Sequence, residues 1–222
     1  MRKIKTEYEK RLPHYHPVGA VFFVTFRLYG SVPKVALQKL KDSYSEQIER
    51  ITFDREPFKR ERLEVAQQEY FLKFDELLHV VKNGPTWLKQ PEIAVLVEEQ
   101  LKRYDGQYYD LICYTIMSNH VHVIFDTGVQ VPLDFDPESN EDFGYVQVDK
   151  IMKKIKGPVA VYANRILGRQ GAFWTPESYD RYIRDAKELR NKIFYTINNP
   201  WKAGLVDDWK EWPFTYLKGA EA

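Results

Sequence analysis

His120 and His122 stand one residue apart in the run Tyr109 to Phe125, whose flanks are β-branched and aromatic and whose middle, Met117-Ser118-Asn119, has turn composition. This reads as a β-hairpin. On a strand, side chains two apart share a face, so both imidazoles point one way while Val121, Val123 and Phe125 point the other. Two neutral imidazoles converging on one small volume suit a divalent ion, and burying them unpaired would cost free energy. A motif this short also occurs on plain solvated strands, so the rest of the chain has to decide.

A second pair, His14-Tyr15-His16, lies between Pro13 and Pro17. No strand run flanks it and nothing fixes both rings on one face, so a loop with a substrate contact is the expectation. The single cysteine, Cys113, falls in the first strand of the hairpin. It cannot form an internal disulfide and is expected in the core rather than as a nucleophile.

The elements that must position these residues fit a chain of 222 residues with 44% hydrophobic and 29% charged residues, long enough to bury a substantial core. The expected organisation is a single domain over 1–222, with a helical insertion at 54–82 and an acidic loop insertion at 127–147. Ala20 to Leu28, apolar on both faces, predicts a central strand. Helices are predicted from Pro33 to about Arg50, within the charged stretch 54–82, and from Pro91 to about Arg103. No apolar run approaches a membrane span, and the first residues lack the apolar segment of a secretion signal, which points to the cytoplasm and to no membrane partner.

The net charge of +1 argues against a protein that coats nucleic acid nonspecifically, yet the charge is unevenly placed. Thr127 to Gln147 carries five acids and no Lys or Arg, whereas Lys150 to Arg169 carries six basic residues and no acid. The basic run predicts a helix up to Gly157-Pro158 and a second from Val159 to Leu167, stopped by Gly168. Ala172 to Arg184 suits an edge strand, since Pro176 bars a central one, and leaves Arg181 and Arg184 able to meet phosphates. A last helix runs from Asp185, a good N-cap, to Asn198. Leu189, Ile193 and Ile197 form its core stripe, with Asn191, Tyr195 and Asn199 roughly opposite, so the core does not account for Tyr195. Trp209 to Tyr216 reads as a closing strap.

The chain resembles the HUH single-tyrosine nucleases and, more closely, the REP-associated tyrosine transposase family of prokaryotes. The matching pieces are Phe23-Val24-Thr25-Phe26-Arg27, Met117 to Ile124, Ala163-Asn164-Arg165, Phe173-Trp174 with Glu177-Ser178-Tyr179-Asp180, and Tyr195-x-x-x-Asn199-Pro200-x-Lys202-Ala203-Gly204-Leu205-Val206. They cover nearly the whole chain apart from Asp54 to Lys82 and the acidic loop. The resemblance implies an α+β fold, a ferredoxin-like four-stranded antiparallel sheet with helices on one face and an additional C-terminal helix carrying the nucleophile. It implies that His120, His122 and the amide oxygen of Asn199 hold Mg²⁺ or Mn²⁺ and that Tyr195 attacks the DNA backbone to give a 5′-phosphotyrosine. Tyr179 and Tyr182 are rival nucleophiles, but the family pattern gives the role to the tyrosine before Asn-Pro. Hairpin-forming single-stranded DNA is the implied substrate, with Lys153, Lys154, Lys156, Arg165, Arg181 and Arg184 as phosphate contacts, in a monomer or homodimer. The alternatives are a non-cleaving, sequence-specific hairpin-DNA binding protein on the same scaffold and a metal-dependent phosphodiesterase using activated water.

Overall fold

A computed structural model describes residues 7–9, 13–53, 58–80, 84–136 and 142–220. The chain forms two compact units, one made of Met1–Arg27 with Trp87–Ala222 and the other of Leu28–Thr86.

The first unit opens with a small antiparallel pair, β1 (Glu7–Glu9) and β2 (Pro13–Tyr15). The loop expected around His14 is therefore a strand over Pro13–Tyr15, because the backbone of Glu7–Glu9 supplies the partner that local composition did not reveal. The main sheet comprises β3 (Val21–Arg27), β4 (Asp110–Ile116), β5 (His120–Asp126), β6 (Tyr179–Ile183) and β7 (Thr215–Leu217), in the order β6-β3-β5-β4-β7 with every pair antiparallel. Helix α3 (Pro91–Arg103) lies between β3 and β4 in the chain, and α4 (Val148–Ile166) between β5 and β6. This gives two interleaved β-α-β halves. The fold is thus α+β with an antiparallel sheet, but the sheet has five strands rather than four. The strap is tied along β4 by Trp212 Nε1, which donates to the Ile116 carbonyl at 3.0 Å, and by Ile116 N, which donates to the Phe214 carbonyl at 2.9 Å. Those bonds bring Thr215–Leu217 into register with β4.

Strand alternation divides the sheet. Phe22, Val24, Phe26, Val121, Val123, Phe125 and Tyr114 share one face and are all buried. Tyr114 Oη on that face reaches Glu98 Oε1 of α3 at 2.7 Å, and α3 packs beside α4. Burial pushes the Tyr114 phenol far above its ordinary value, and the Glu98 carboxylate adds to the effect. Phe23, Thr25, Arg27, Thr115, His120, His122 and Ile124 occupy the opposite face.

Helix α4 runs unbroken through Pro158, where the sequence suggested two helices. Its buried stripe, Val148, Ile151, Met152, Ile155, Val159 and Ala163, keeps helical spacing across the proline, so packing outweighs the backbone hydrogen bond that proline cannot make. In the acidic stretch, Gly128–Gln130 forms a single 3-10 turn, and Gln130 bonds the Val146 backbone from both sides of its amide. Glu138 and Glu141 lie outside the described residues.

The unit Leu28–Thr86 holds two helices, α1 (Lys34–Phe53) and α2 (Lys59–Val80). Val32, Phe74 and Leu78, flanked by Leu37, Leu40 and Leu77, make its core. Tyr44 meets Tyr70 at 4.8 Å between ring centroids. Residues 54–57 and 81–83 lie outside the described residues. None of the described helices is long and apolar enough to cross a membrane.

Candidate active site

His120 and His122 lie on β5, between β3 and β4, and are 1% and 0% exposed. Their rings are 4.7 Å apart at 75°. Each ring is held through Nδ1. His122 Nδ1 is 2.7 Å from Thr25 Oγ1 across the β3–β5 ladder, and His120 Nδ1 is 2.6 Å from the amide oxygen of Asn119. An amide oxygen only accepts, so the His120 Nδ1–H donates to it. A hydrogen bond at one ring nitrogen that sets the orientation of the imidazole is the usual support of a metal-binding histidine. Phe23 stacks on His122 at 5.6 Å and 17°.

The histidine face is covered by helix α5 (Ala186–Ile197). Asp185 caps it, accepting from Glu188 N at 2.8 Å, and that backbone bond holds the Asp185 carboxyl below its ordinary range. Glu188 in turn accepts from Arg181 Nε at 2.8 Å and Arg184 Nε at 3.2 Å. Burial pushes the Glu188 carboxyl upward, but Arg181, Arg184 and their hydrogen bonds prevail and hold it below its ordinary value. The end of β6 is thereby fastened to the first turn of α5. Further along, Thr196 is fully buried. Burial pushes the Cys113 thiol up to about 12, in keeping with a core cysteine.

A short helix, α6 (Asn199–Lys202), follows at once. Asn198 N donates to Phe194 O at 3.1 Å and Lys202 N to Asn198 O at 2.9 Å, so helical spacing carries across the junction. One row therefore runs Lys192, Tyr195, Asn199 and Lys202, at offsets of three, seven and ten residues. This row faces the sheet. The expectation that Tyr195 stands opposite the core stripe is corrected: its ring lies 5.6 Å from His122 at 72° and 6.1 Å from Phe23 at 81°, and its hydroxyl oxygen is buried. Helix α5 buries two rows instead of one, because Thr196 and Ile197 are inside as well. Lys192 Nζ is 5.6 Å and Lys202 Nζ 4.8 Å from the centre of the Tyr195 ring.

Asn199 has 0% exposure, and neither its amide oxygen nor its nitrogen has a hydrogen-bond partner among the described residues. Leaving such a group unsatisfied costs roughly 1–3 kcal/mol. A cation accepting the amide oxygen would recover part of that cost. Two imidazoles oriented through Nδ1 and one unsatisfied amide oxygen fit a divalent ion as a donor set, and a weakly binding one for Mg²⁺ or Mn²⁺, which favour oxygen ligands.

Of the six cations picked out by sequence, Lys153, Lys154, Lys156 and Arg165 lie on α4, Arg181 on β6 and Arg184 directly after it. On α4, Lys153 pairs with Asp149 at 3.3 Å, Lys154 lies over Tyr108 and Arg165 over Tyr162. Lys156 donates to the carbonyls of Thr175 and Pro176 and to Ser178 Oγ, joining α4 to the segment that enters β6. Arg181 and Arg184 meet on Glu188. None of these contacts gathers the six around Tyr195. Of the rival tyrosines, Tyr179 is in register with Thr25 on the histidine face, two strands from β5, and Tyr182 is in register with Phe22 on the other face. His16 is buried and pairs with Asp180. Lys192 was not singled out in the sequence, whereas Lys202 stands there in the run Asn199-Pro200-x-Lys202.

The fold and this face define an α+β protein in which a His-x-His strand meets a tyrosine carried by a covering helix. No family model matches the chain. The chain is similar to a Haemophilus influenzae protein provisionally named a REP-associated tyrosine transposase, with 23% identity over 111 residues, 48% of this chain and 58% of that protein. The match thus spans little more than half of the relative's length. Among solved structures, one of a REP-associated tyrosine transposase bound to a REP hairpin aligns over 95% of this chain and 82% of its own, at 16% identity and a TM-score of 0.48. The name of the Haemophilus influenzae relative is that of the family that the sequence motifs resemble.

Proposed function

We propose that this protein is a metal-dependent single-stranded DNA endonuclease and strand transferase, acting on hairpin-forming repeat DNA through a covalent 5′-phosphotyrosine. The observation that carries this reading is the Tyr195 ring 5.6 Å from His122, with His120 4.7 Å beyond and the buried amide of Asn199 in the same helix row as Tyr195. The substrate class follows from the likeness of the motifs, and of the Haemophilus influenzae relative's name, to REP-associated tyrosine transposases.

His120, His122 and Asn199 would hold a Mg²⁺ or Mn²⁺ ion, which when bound supplies positive charge to a phosphate oxygen. Thr25 and Asn119 hold the two imidazoles in the orientation this requires. The Tyr195 oxygen forms a bond to phosphorus as the bond from phosphorus to the 3′ oxygen breaks. The departing 3′ oxygen ends as a hydroxyl, so the proton lost by the phenol is balanced in the products. One phosphodiester replaces another, and the step can run backwards on a new 3′ end.

The test is covalent capture. Purified protein is incubated with Mn²⁺ and a labelled pool of single-stranded oligonucleotides whose hairpin stems carry randomised flanks. An adduct that resists denaturation should form with the wild type and be absent with Tyr195→Phe. An adduct surviving that substitution moves the nucleophile elsewhere. Tight hairpin binding with neither adduct nor cleavage favours the non-cleaving binding protein, and cleavage without an adduct favours activated water.

A further inference from the structure

We infer that Phe194 and Trp201, on the exposed side of the helix row that carries Tyr195, form a stacking platform for unpaired bases of the DNA strand. The inference rests on the reading of single-stranded DNA as the substrate and adds the surface that holds the strand next to its hairpin.

Phe194 is 66% and Trp201 53% exposed, and neither ring meets another ring or a cation among the described residues. One exposed aromatic is ordinary on a protein surface, but these two are seven positions apart. Helical bonding carries through Asn198, so seven positions make two turns. The rings therefore share one side, roughly 10 Å apart along the axis. Tyr195 follows Phe194 directly and is turned to the sheet, so a base stacked on Phe194 lies beside the proposed nucleophile. The charge around the rings favours a polyanion. Ala186 to Leu205 carries Lys187, Arg190, Lys192 and Lys202 against the one acid Glu188, which already meets Arg181 and Arg184. Arg190 is exposed one turn before Phe194, and Lys202 is exposed next to Trp201. Asp208 and Glu211, further on, accept from nearby backbone amides. Flat apolar faces bordered by cations suit a single strand, whose bases stack whatever their sequence while its phosphates meet the cations. A second copy of the chain suits this face less well. A two-fold contact would set the same cations against each other. The two rings also expose on the order of 300 Å² together, where a stable interface takes roughly 800 Å² from each partner.

The experiment uses the full chain in chelator, to hold back cleavage, and two labelled probes. One is a hairpin with single-stranded flanks of randomised sequence, the other the same hairpin with a blunt end. Affinity is read by fluorescence anisotropy, oligomeric state by sedimentation and folding by thermal melting. Phe194→Ala and Trp201→Ala should each weaken binding of the flanked hairpin about fivefold to a hundredfold while changing the blunt one less than about threefold. Trp201→Phe, which keeps a flat ring, should retain most of the affinity, whereas Trp201→Leu, which keeps apolar bulk alone, should not. Both positions are exposed, so melting should be unchanged. If an alanine variant does melt lower, the contrast between Trp201→Phe and Trp201→Leu decides. A double variant, Phe194→Ala/Trp201→Ala, that binds the flanked hairpin as the wild type does overturns the platform and leaves the Tyr195 reading intact. An equal loss on both probes also overturns it. A wild-type dimer that the double variant splits, with DNA affinity unchanged, gives the face to a second copy and overturns it too. A wild type that binds neither hairpin overturns both the platform and the substrate on which it rests. An adduct persisting in Tyr195→Phe, with the flank effect present, refutes the nucleophile and upholds the platform.

Discussion

Asn199→Leu should make the protein more stable and less able to use metal. Asn199 is fully buried, and both polar atoms of its amide lack hydrogen bonds among the described residues. Each unsatisfied buried polar atom costs about 1–3 kcal/mol, and leucine fills a similar volume without one. Allowing for imperfect fit, we expect a gain of about 1–3 kcal/mol in metal-free buffer. For a protein of this length that raises the melting temperature by roughly 3–8 °C. Metal should then act in the opposite sense. An ion bound only by the folded wild type at a hundred times its dissociation constant adds about 2.7 kcal/mol, and this increment should be largely missing in the variant. The assay is thermal denaturation of both proteins in chelator and in excess Mn²⁺. A variant that melts below the wild type in chelator would show that the amide is already satisfied. An equal Mn²⁺ shift in both proteins would show that Asn199 is no ligand.

Thr25→Val keeps the shape of the side chain but removes the partner of His122 Nδ1. Mn²⁺ affinity should fall on the order of tenfold to a hundredfold, measured by calorimetric titration, with cleavage recovering at saturating metal. Glu188→Gln removes the carboxylate that joins Arg181 and Arg184 at the start of α5. Because the folded protein holds Glu188 below its ordinary value, the ionised form stabilises the fold, fully so above the ordinary glutamate range. That contribution is lost as pH falls through the lowered value. The substitution should therefore cost about 1–3 kcal/mol at pH 7 by chemical denaturation and progressively less in acid; a cost that does not vary with pH would refute the assignment.

Residues whose neighbours are local or lie on one strand were legible in the sequence. Strand alternation alone placed His120 and His122 on one face, and Asp185 announced the start of α5. What failed depended on distant partners. Tyr195 could be set opposite the stripe of Leu189, Ile193 and Ile197 because periodicity shows which residues share a face, and not which face meets a sheet assembled from β3, β4 and β5. Pro158 suggested a break that the stripe from Ile155 to Val159 overrides. The fifth strand was hidden because Thr215–Leu217 is short and owes its pairing to Trp212 and Phe214 bonding Ile116.

The place of β3 in the sheet has a consequence for how the chain is made. Phe22, Phe23, Val24 and Phe26 are buried in the finished molecule, yet both neighbours of this strand emerge from the ribosome much later, the nearer contact of Thr25 with His122 spanning 97 positions. Throughout that interval the nascent protein carries an apolar, strand-forming segment whose strand partners are still to come, the kind of exposure that favours aggregation. Tyr195 is translated later still, so it can join His120 and His122 only in a chain grown past residue 195.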